Sequence, residues 1–297
     1  MKKFGLIGHP IADSLSPRLF AAAYAGKYPY DLIEGADFES AYRRFLEEYQ
    51  AINITAPFKE DAFAQALALT RDGLGSLSGP CFKIGATNLM VKTPEDIQAH
   101  NSDFSGIILS VAEALFPGLV ESCYAAYGER GHIKVHQYVR KELPAHYALQ
   151  PQALVVGCGG AGKAAAVAAA EMGFSTVLMN RTRERAQAIA DALPEYAFLV
   201  DDIQDFPEAV RECDLIIYTL PVALPQIATL TAQQLRGEGT KVILEANYKT
   251  PAFDAQQVQA AGAHYVSGKE WLRYQALTGY SLMTGEIPDR AALEAAI

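Results

Sequence analysis

Two neighbouring strings carry the plainest chemistry. In "LVVGCGGAGKAA", Gly157, Gly159 and Gly162 fall in a G-x-G-x-x-G frame after an apolar run and at the head of a helical pattern. Glycines so placed let a backbone approach a pyrophosphate closely and aim helix N–H groups at it. Gly160 and Ala161 complete that cradle. The same letters nearly spell a P-loop over Gly157–Lys163, but Ala164 stands where a magnesium-binding hydroxyl is required. A dinucleotide is therefore the better ligand. About 20 residues further on, a binder of NAD usually offers a carboxylate to the ribose 2′-hydroxyl. Here the string is "VLMNRTRER", with Asn180, Arg181, Thr182, Arg183 and Arg185. Guanidinium groups pair bidentately with a 2′-phosphate and stack on adenine. A merely solvated arginine cluster would oppose the dipole of the helix it starts. The spacing points to NADP(H).

These groups need a frame. From Ala153 onward "ALVVG", "STVLMN", "YAFLV", "DLIIYTL", "KVILEAN" and "AHYV" read as buried strands, most of them separated by helical segments such as "RERAQAIADAL". Such alternation implies a parallel, doubly wound sheet. Before it, "FGLIG", "AINIT" and "GATNLMV" read as strands, and "SPRLFAAAY", "ESAYRRFLEEY", "FKEDAFAQALAL" and "DFSGIILSVAEAL" as helices. Ser16 is expected to cap the first helix, with Pro17 at its first position. Residues 117–150 show no sustained period and read as an insertion or elaborate linker. "GKEWLRYQALTGYSLM" is one more amphipathic helix. The fold class is α/β, with two domains.

Four further strings bring polar groups out of apolar surroundings: "GHPIADSLSP", "NITAPFKE", "GATN" and "NSDFSG". With the glycine loop and "NRTRER", in this order, they resemble the shikimate dehydrogenase family over most of the chain outside 117–150. The resemblance implies a discontinuous α/β substrate domain of residues 1–103 completed by helices in 269–297. It implies a linking helix plus insertion over 104–150 and a Rossmann NADP domain over 151–268, with the substrate domain wrapped against it. It also implies NADP(H)-dependent reversible reduction of 3-dehydroshikimate to shikimate, a step toward chorismate and the aromatic amino acids. Ser14 and Ser16 match hydroxyls that hold the substrate carboxylate. Thr55 matches a substrate-binding threonine and Lys59 the catalytic lysine. Asn88 and Asp103 match groups holding ring hydroxyls, Asp103 also standing beside the lysine in catalysis. Tyr248 and Gln275 match substrate contacts from the far end of the chain, and Gly268 a glycine beside the nicotinamide. Ketone reduction needs a proton donor beside the carbonyl while hydride arrives from the cofactor, and lysine next to aspartate can give and retake that proton. The bland alternatives are a solvated helix-start lysine for Lys59 and a helix N-cap for Asp103.

This chain departs from the family pattern at several positions. Asp13 replaces a histidine near the carboxylate site, and Phe104 a glycine after the aspartate. In "YTLPVAL", Tyr218 stands for asparagine, Leu220 for a hydroxyl residue and Ala223 for glycine, in a loop the family lays along the nicotinamide-ribose. Two other readings follow: a quinate/shikimate dehydrogenase of broader range, and a non-catalytic NADP- or shikimate-binding module. Elsewhere "HIKVH" sets His132 and His136 four apart with His146 downstream, but no Cys or Glu completes a zinc set. No metal is expected, and no G-x-S-x-G elbow of a hydrolase occurs.

Bulk properties limit the partners. The 297 residues suit two domains, and a formal charge of −9 argues against nucleic acid or an anionic membrane. A small-molecule substrate is the expected partner, with a homodimer as the one protein assembly considered. Cys81, Cys123, Cys158 and Cys213 lie far apart without a C-x-x-C pair, which suits reduced thiols in the cytoplasm. The apolar run of "MKKFGLIGHPIADS" is too short for a signal peptide, and no stretch approaches a membrane span.

Overall fold

The computed structural model describes residues 2–237 and 239–297. Contacts divide the chain into two compact units: residues up to Asp103 together with Gln275–Ile297, and Phe104–Tyr274.

The first unit is built on β1 (Phe4–Gly8), α1 (Ser16–Ala23), β2 (Tyr30–Glu34), α2 (Phe38–Glu48), β3 (Ala51–Ile54), α3 (Lys59–Arg71), β4 (Gly75–Leu77), α4 (Gly79–Ile84), β5 (Leu89–Lys92) and β6 (Ile97–His100). The sheet runs β2-β1-β3-β5-β6-β4. β1 lies parallel to β2 and β3, β5 is antiparallel to β3 and β6, and β4 is parallel to β6. Ile7, Ile33, Ile52, Ile54 and Met90 pack with Phe45 of α2 and Ala62 and Ala66 of α3. Each large apolar side chain removed from water in this way contributes about 1.5–3 kcal/mol before chain entropy is counted. The sequence placed the cap of α1 at Ser16. Ser16 is instead the first helical residue, Leu15 holds the N-cap position, and Ser14 Oγ accepts the Ser16 N–H at 3.2 Å. Only Ser14, two residues upstream, reaches that amide.

The returning segment completes this unit through the end of α13 (Gly268–Thr284) and α14 (Arg290–Ala295). Tyr280 meets Phe20 edge-on with centroids 4.8 Å apart, and Tyr24 Oη lies 2.9 Å from Thr284 Oγ1. Glu286 takes hydrogen bonds from Lys27 and Tyr28, and Asp289 N–H donates to the Ala23 carbonyl.

The second unit follows α5 (Ser102–Leu115), whose first two residues belong to the first. Residues 117–150, read as aperiodic, form α6 (Leu119–Tyr127) and α7 (Gly131–His146). A period was present but narrow: Gly131, Val135, Val139 and Leu143 are buried at every fourth position between His, Lys, Gln and Arg. Phe104 stacks edge-on against His136 of α7 at 5.7 Å. The bulky residue in place of the family's glycine thus has a packing partner in that helix.

Then come β7 (Gln152–Val156), α8 (Gly160–Met172), β8 (Ser175–Met179), α9 (Arg183–Ala192), β9 (Leu199–Val200), α10 (Phe206–Glu212), β10 (Leu215–Tyr218), α11 (Ala232–Arg236), β11 (Val242–Glu245), α12 (Ala255–Ala260) and β12 (His264–Val266). All pairs are parallel, in the order β12-β11-β10-β7-β8-β9. β10 and β11 are wholly buried, which is why their sequences read as continuous apolar runs. β9 is shorter than "YAFLV" suggested, because Pro194–Tyr196 form a 3₁₀ turn. The chain winds from β7 out to β9, then returns to the other side of β7 at β10. In an open parallel sheet that reversal leaves a crevice at the carboxyl ends of β7 and β10, where ligands bind.

Candidate active site

In the first unit, three distant strings converge at strand ends. Ile54 N–H donates to the Asn88 carbonyl, Asn88 N–H to His100, and Thr87 N–H to Lys59, tying "NITAPFK", "GATN" and the chain before "NSD" together. At that junction Lys59, the first residue of α3, sets Nζ 2.5 Å from Asp103 Oδ2. Their side chains are 17% and 4% exposed. Lys59 is thus no solvated helix-start lysine, and Asp103 lies inside the first turn of α5 rather than at its cap. Asn88 is held alongside by Ser102, its Nδ2 donating to Ser102 Oγ at 3.1 Å and its Oδ1 accepting Ser102 N–H at 2.7 Å. Thr55 is half-buried in the turn between β3 and α3, its N–H on the Ile7 carbonyl and its carbonyl accepting from Phe58.

Ser14 and Ser16 form a hydroxyl pair at 3.2 Å, next to Tyr280, whose Oη donates to the Ser16 carbonyl. Tyr30 lies beside them and donates to Asn53 Oδ1 at 2.8 Å, and burial holds both phenols well above their usual pKa. Gly279 lets α13 pass close to Ser102. A Cβ there would sit 3.3 Å from Ser102 Oγ and 3.9 Å from Asn53 Nδ2. Hydroxyls and amides therefore run from Ser14 to Lys59. Asn53, Ser102 and Tyr280 were not singled out in the sequence, although all three stand inside quoted strings. Gln275 is half-buried on α13 in this unit, whereas Tyr248 belongs to the other.

In the second unit the glycine loop joins β7 to α8. Gly157 has φ +104°, and a Cβ on Gly162 would lie 1.9 Å from the Gly157 carbonyl oxygen. Only glycine allows that contact. Around Gly159 a Cβ would meet nothing within 4 Å, so the space is open for a ligand atom, while Gly160 and Ala161 open the first turn of α8. Asn180 is buried and donates to the Thr182 carbonyl, shaping the turn that exposes Arg181, Thr182 and Arg185. Arg183 is engaged by the Val200 carbonyl at 2.9 Å. Burial pushes the Cys158 thiol up to about 11, opposed by the Arg185 and Lys163 charges. Shape, open space and positive charge together fit a dinucleotide carrying an extra phosphate.

The altered "YTLPVAL" is explained by its packing. Tyr218 is fully buried, donates to the Val222 carbonyl at 2.8 Å and accepts the Leu224 N–H at 3.0 Å. Thr219 Oγ1 donates to the Val156 carbonyl, and Leu220 is buried against Gly157. On the next strand Glu245 accepts from Ala252 N–H, Phe253 N–H and Tyr265 Oη, closing the loop that carries half-buried Tyr248. Burial raises the pKa of that carboxyl. Gly268 is needed for closeness, since a Cβ would lie 2.4 Å from the Ala246 carbonyl oxygen. Asp13 is exposed. His132 and His136 turn to different carbonyls, those of Glu129 and Glu171, and among the described residues no cluster of metal ligands occurs. No helix there is long and apolar enough to cross a membrane.

Known proteins resemble this chain in sequence and fold. Residues 140–242 match the family model described as Shikimate / quinate 5-dehydrogenase. A protein of Thermus thermophilus named shikimate dehydrogenase (NADP(+)) is 28% identical, over 100% of this chain and 97% of its own. Its namesake in Halobacterium salinarum is also 28% identical, over 100% and 98%. Among solved structures, shikimate 5-dehydrogenase from Thermus thermophilus in complex with shikimate superposes with a TM-score of 0.73 at 25% identity, covering 100% of this chain and 97% of that one. The chain is thus similar to the shikimate / quinate 5-dehydrogenase model over its middle and to shikimate dehydrogenases along its whole length.

Proposed function

We propose that the protein is an NADP(H)-dependent shikimate dehydrogenase, interconverting 3-dehydroshikimate and shikimate on the route to chorismate and the aromatic amino acids. The observation that carries this is the Lys59–Asp103 pair, nearly buried, with the hydrogen-bonded Asn88 and Ser102 alongside. NADPH, when bound, supplies the hydride. Lys59 Nζ gives its proton to the oxygen of the reduced carbonyl and takes it back in the oxidation, while Asp103 keeps the ammonium oriented. Asn88 and Asp103 accept or donate to ring hydroxyls, Thr55, Tyr248 and Gln275 contact the substrate, and Ser14 and Ser16 hold its carboxylate. Gly157, Gly159, Gly160 and Ala161 cradle the pyrophosphate at the start of α8. Arg181 and Arg185 bind the 2′-phosphate, with Asn180 and Thr182 shaping their turn and Gly268 beside the nicotinamide. The first unit is accordingly the substrate domain and the second the cofactor domain.

Oxidation of NADPH in the presence of 3-dehydroshikimate tests the reading directly, and no turnover would leave a binding module. Quinate oxidation in parallel reads the broader substrate range. A cytoplasmic location is proposed on the four buried cysteines, all free. The homodimer, the one protein assembly considered, is checked by light scattering.

A further inference from the structure

We infer that Tyr218 is a positioning residue that prebuilds the seat of the cofactor's nicotinamide half. The inference rests on the NADP(H) reading of the glycine loop. Topology supplies the frame. The pyrophosphate belongs at the start of α8, and the adenosine at the end of β8, where Arg181 and Arg185 stand. The other nucleotide must then cross to the far side of β7, over the ends of β10 and β11. The first segment it meets there is the loop 219–224.

That loop is braced at both ends and in the middle. Thr219 N–H and Oγ1 both donate to the Val156 carbonyl, at 2.8 and 3.0 Å, fixing the loop's root to the strand that feeds the glycine loop. Leu220 packs where a Cβ of Gly157 would be, its Cδ2 3.2 Å from that point. The Tyr218 hydroxyl reaches from inside the core to Val222 and Leu224 and spans the loop. From outside, Asn247 Nδ2 donates to the Pro221 carbonyl at 3.1 Å. With its backbone held at 221, 222 and 224, the loop presents exposed Val222 in a fixed place. A ligand meeting a loop already ordered does not have to order it, and that difference appears as affinity.

The adenosine end gives an internal control. Adenosine 2′,5′-bisphosphate reaches the glycine loop and the arginines but not loop 219–224. In Tyr218→Phe, which keeps the ring and removes the hydroxyl, we expect NADPH affinity and kcat to fall about fivefold or more, with affinity for adenosine 2′,5′-bisphosphate unchanged. Asn247→Ala should show the same split at smaller amplitude, and it keeps the test alive should Tyr218→Phe not fold. Equal NADPH binding in wild type and both variants would overturn the inference. So would a parallel loss of both ligands, which marks a general effect on the unit. Wild-type protein that binds neither ligand would instead remove the NADP(H) reading, so the two failures are distinguishable.

Discussion

The polar centre around Lys59 and the glycine loop before α8 are made on opposite principles. Around Lys59 the functional groups are side chains already engaged with one another: Lys59 with Asp103, Asn88 with Ser102, Ser14 with Ser16, Tyr30 with Asn53. Around Gly157 the function lies in what side chains leave out, in space at Gly159 and in a backbone contact at Gly162 that no Cβ permits. A networked site fixes where protons and hydroxyls go, so changes there should act on rate and on substrate binding. A site of shape should lose fit to its cofactor.

Lys59→Ala tests the sharpest side of this contrast. Loss of a general acid costs about 10²–10⁴-fold in rate, so kcat should collapse while the KM for shikimate changes little. Steady-state assays within a few-fold of wild type would remove Lys59 from the chemistry. At the shape-made site, Gly162→Ala forces a Cβ onto the Gly157 carbonyl. Overpacking of this kind costs about 1–3 kcal/mol, so both NADPH binding and Tm should drop. Gly159→Ala has room and an ordinary φ of −81°, so it should weaken NADPH while leaving Tm unchanged. Identical behaviour of the two glycine variants in calorimetry would erase the distinction between structural and ligand-facing positions.

Ser14→Ala and Ser16→Ala should each raise the KM for shikimate about tenfold, since hydrogen bonds to charged groups are worth ~1.5–3 kcal/mol. Only Ser14→Ala should also lower Tm, because Ser14 accepts the Ser16 N–H at the start of α1. The smallest effect belongs to the exposed arginines. An exposed charge pair contributes about 0.2–1 kcal/mol. Arg181→Ala should therefore raise the KM for NADPH a few-fold, leave that for NADH alone, and matter less as salt is added. Equal use of NADH and NADPH by wild type would remove the 2′-phosphate role.

What could be read in advance follows the same divide. The parallel sheet was legible because strands buried on both faces must be apolar throughout, and the glycine loop because its residue type is dictated by backbone geometry. α6 and α7 were not, since a single row of Val135, Val139 and Leu143 is diluted by charged neighbours and by Pro144 in the last turn. The cap of α1 was misassigned to Ser16 because two serines flank Leu15 and only three-dimensional reach decides between them. In the site, Lys59 and Asp103 stood out by matching short strings. Asn53 and Tyr218 did not, because no local pattern announces the hydroxyl of Tyr30 or the carbonyl of Val222 as a partner.

The split construction of the first unit has a consequence for synthesis. Its sheet is complete when residue 100 has been made, yet Tyr280, Thr284 and Glu286 arrive only after the whole of Phe104–Tyr274. At ~5–20 residues per second that is a wait of roughly ten to thirty seconds. Throughout it Phe20 and Tyr30 lack their packing partner Tyr280, and Tyr24, Lys27 and Tyr28 their hydrogen-bond acceptors. The second unit, contiguous in sequence, can close as it emerges. The nascent chain thus holds Lys59 early on an unfinished unit, and a ribosome stalled short of residue 280 leaves that aromatic face open to chaperones and proteases.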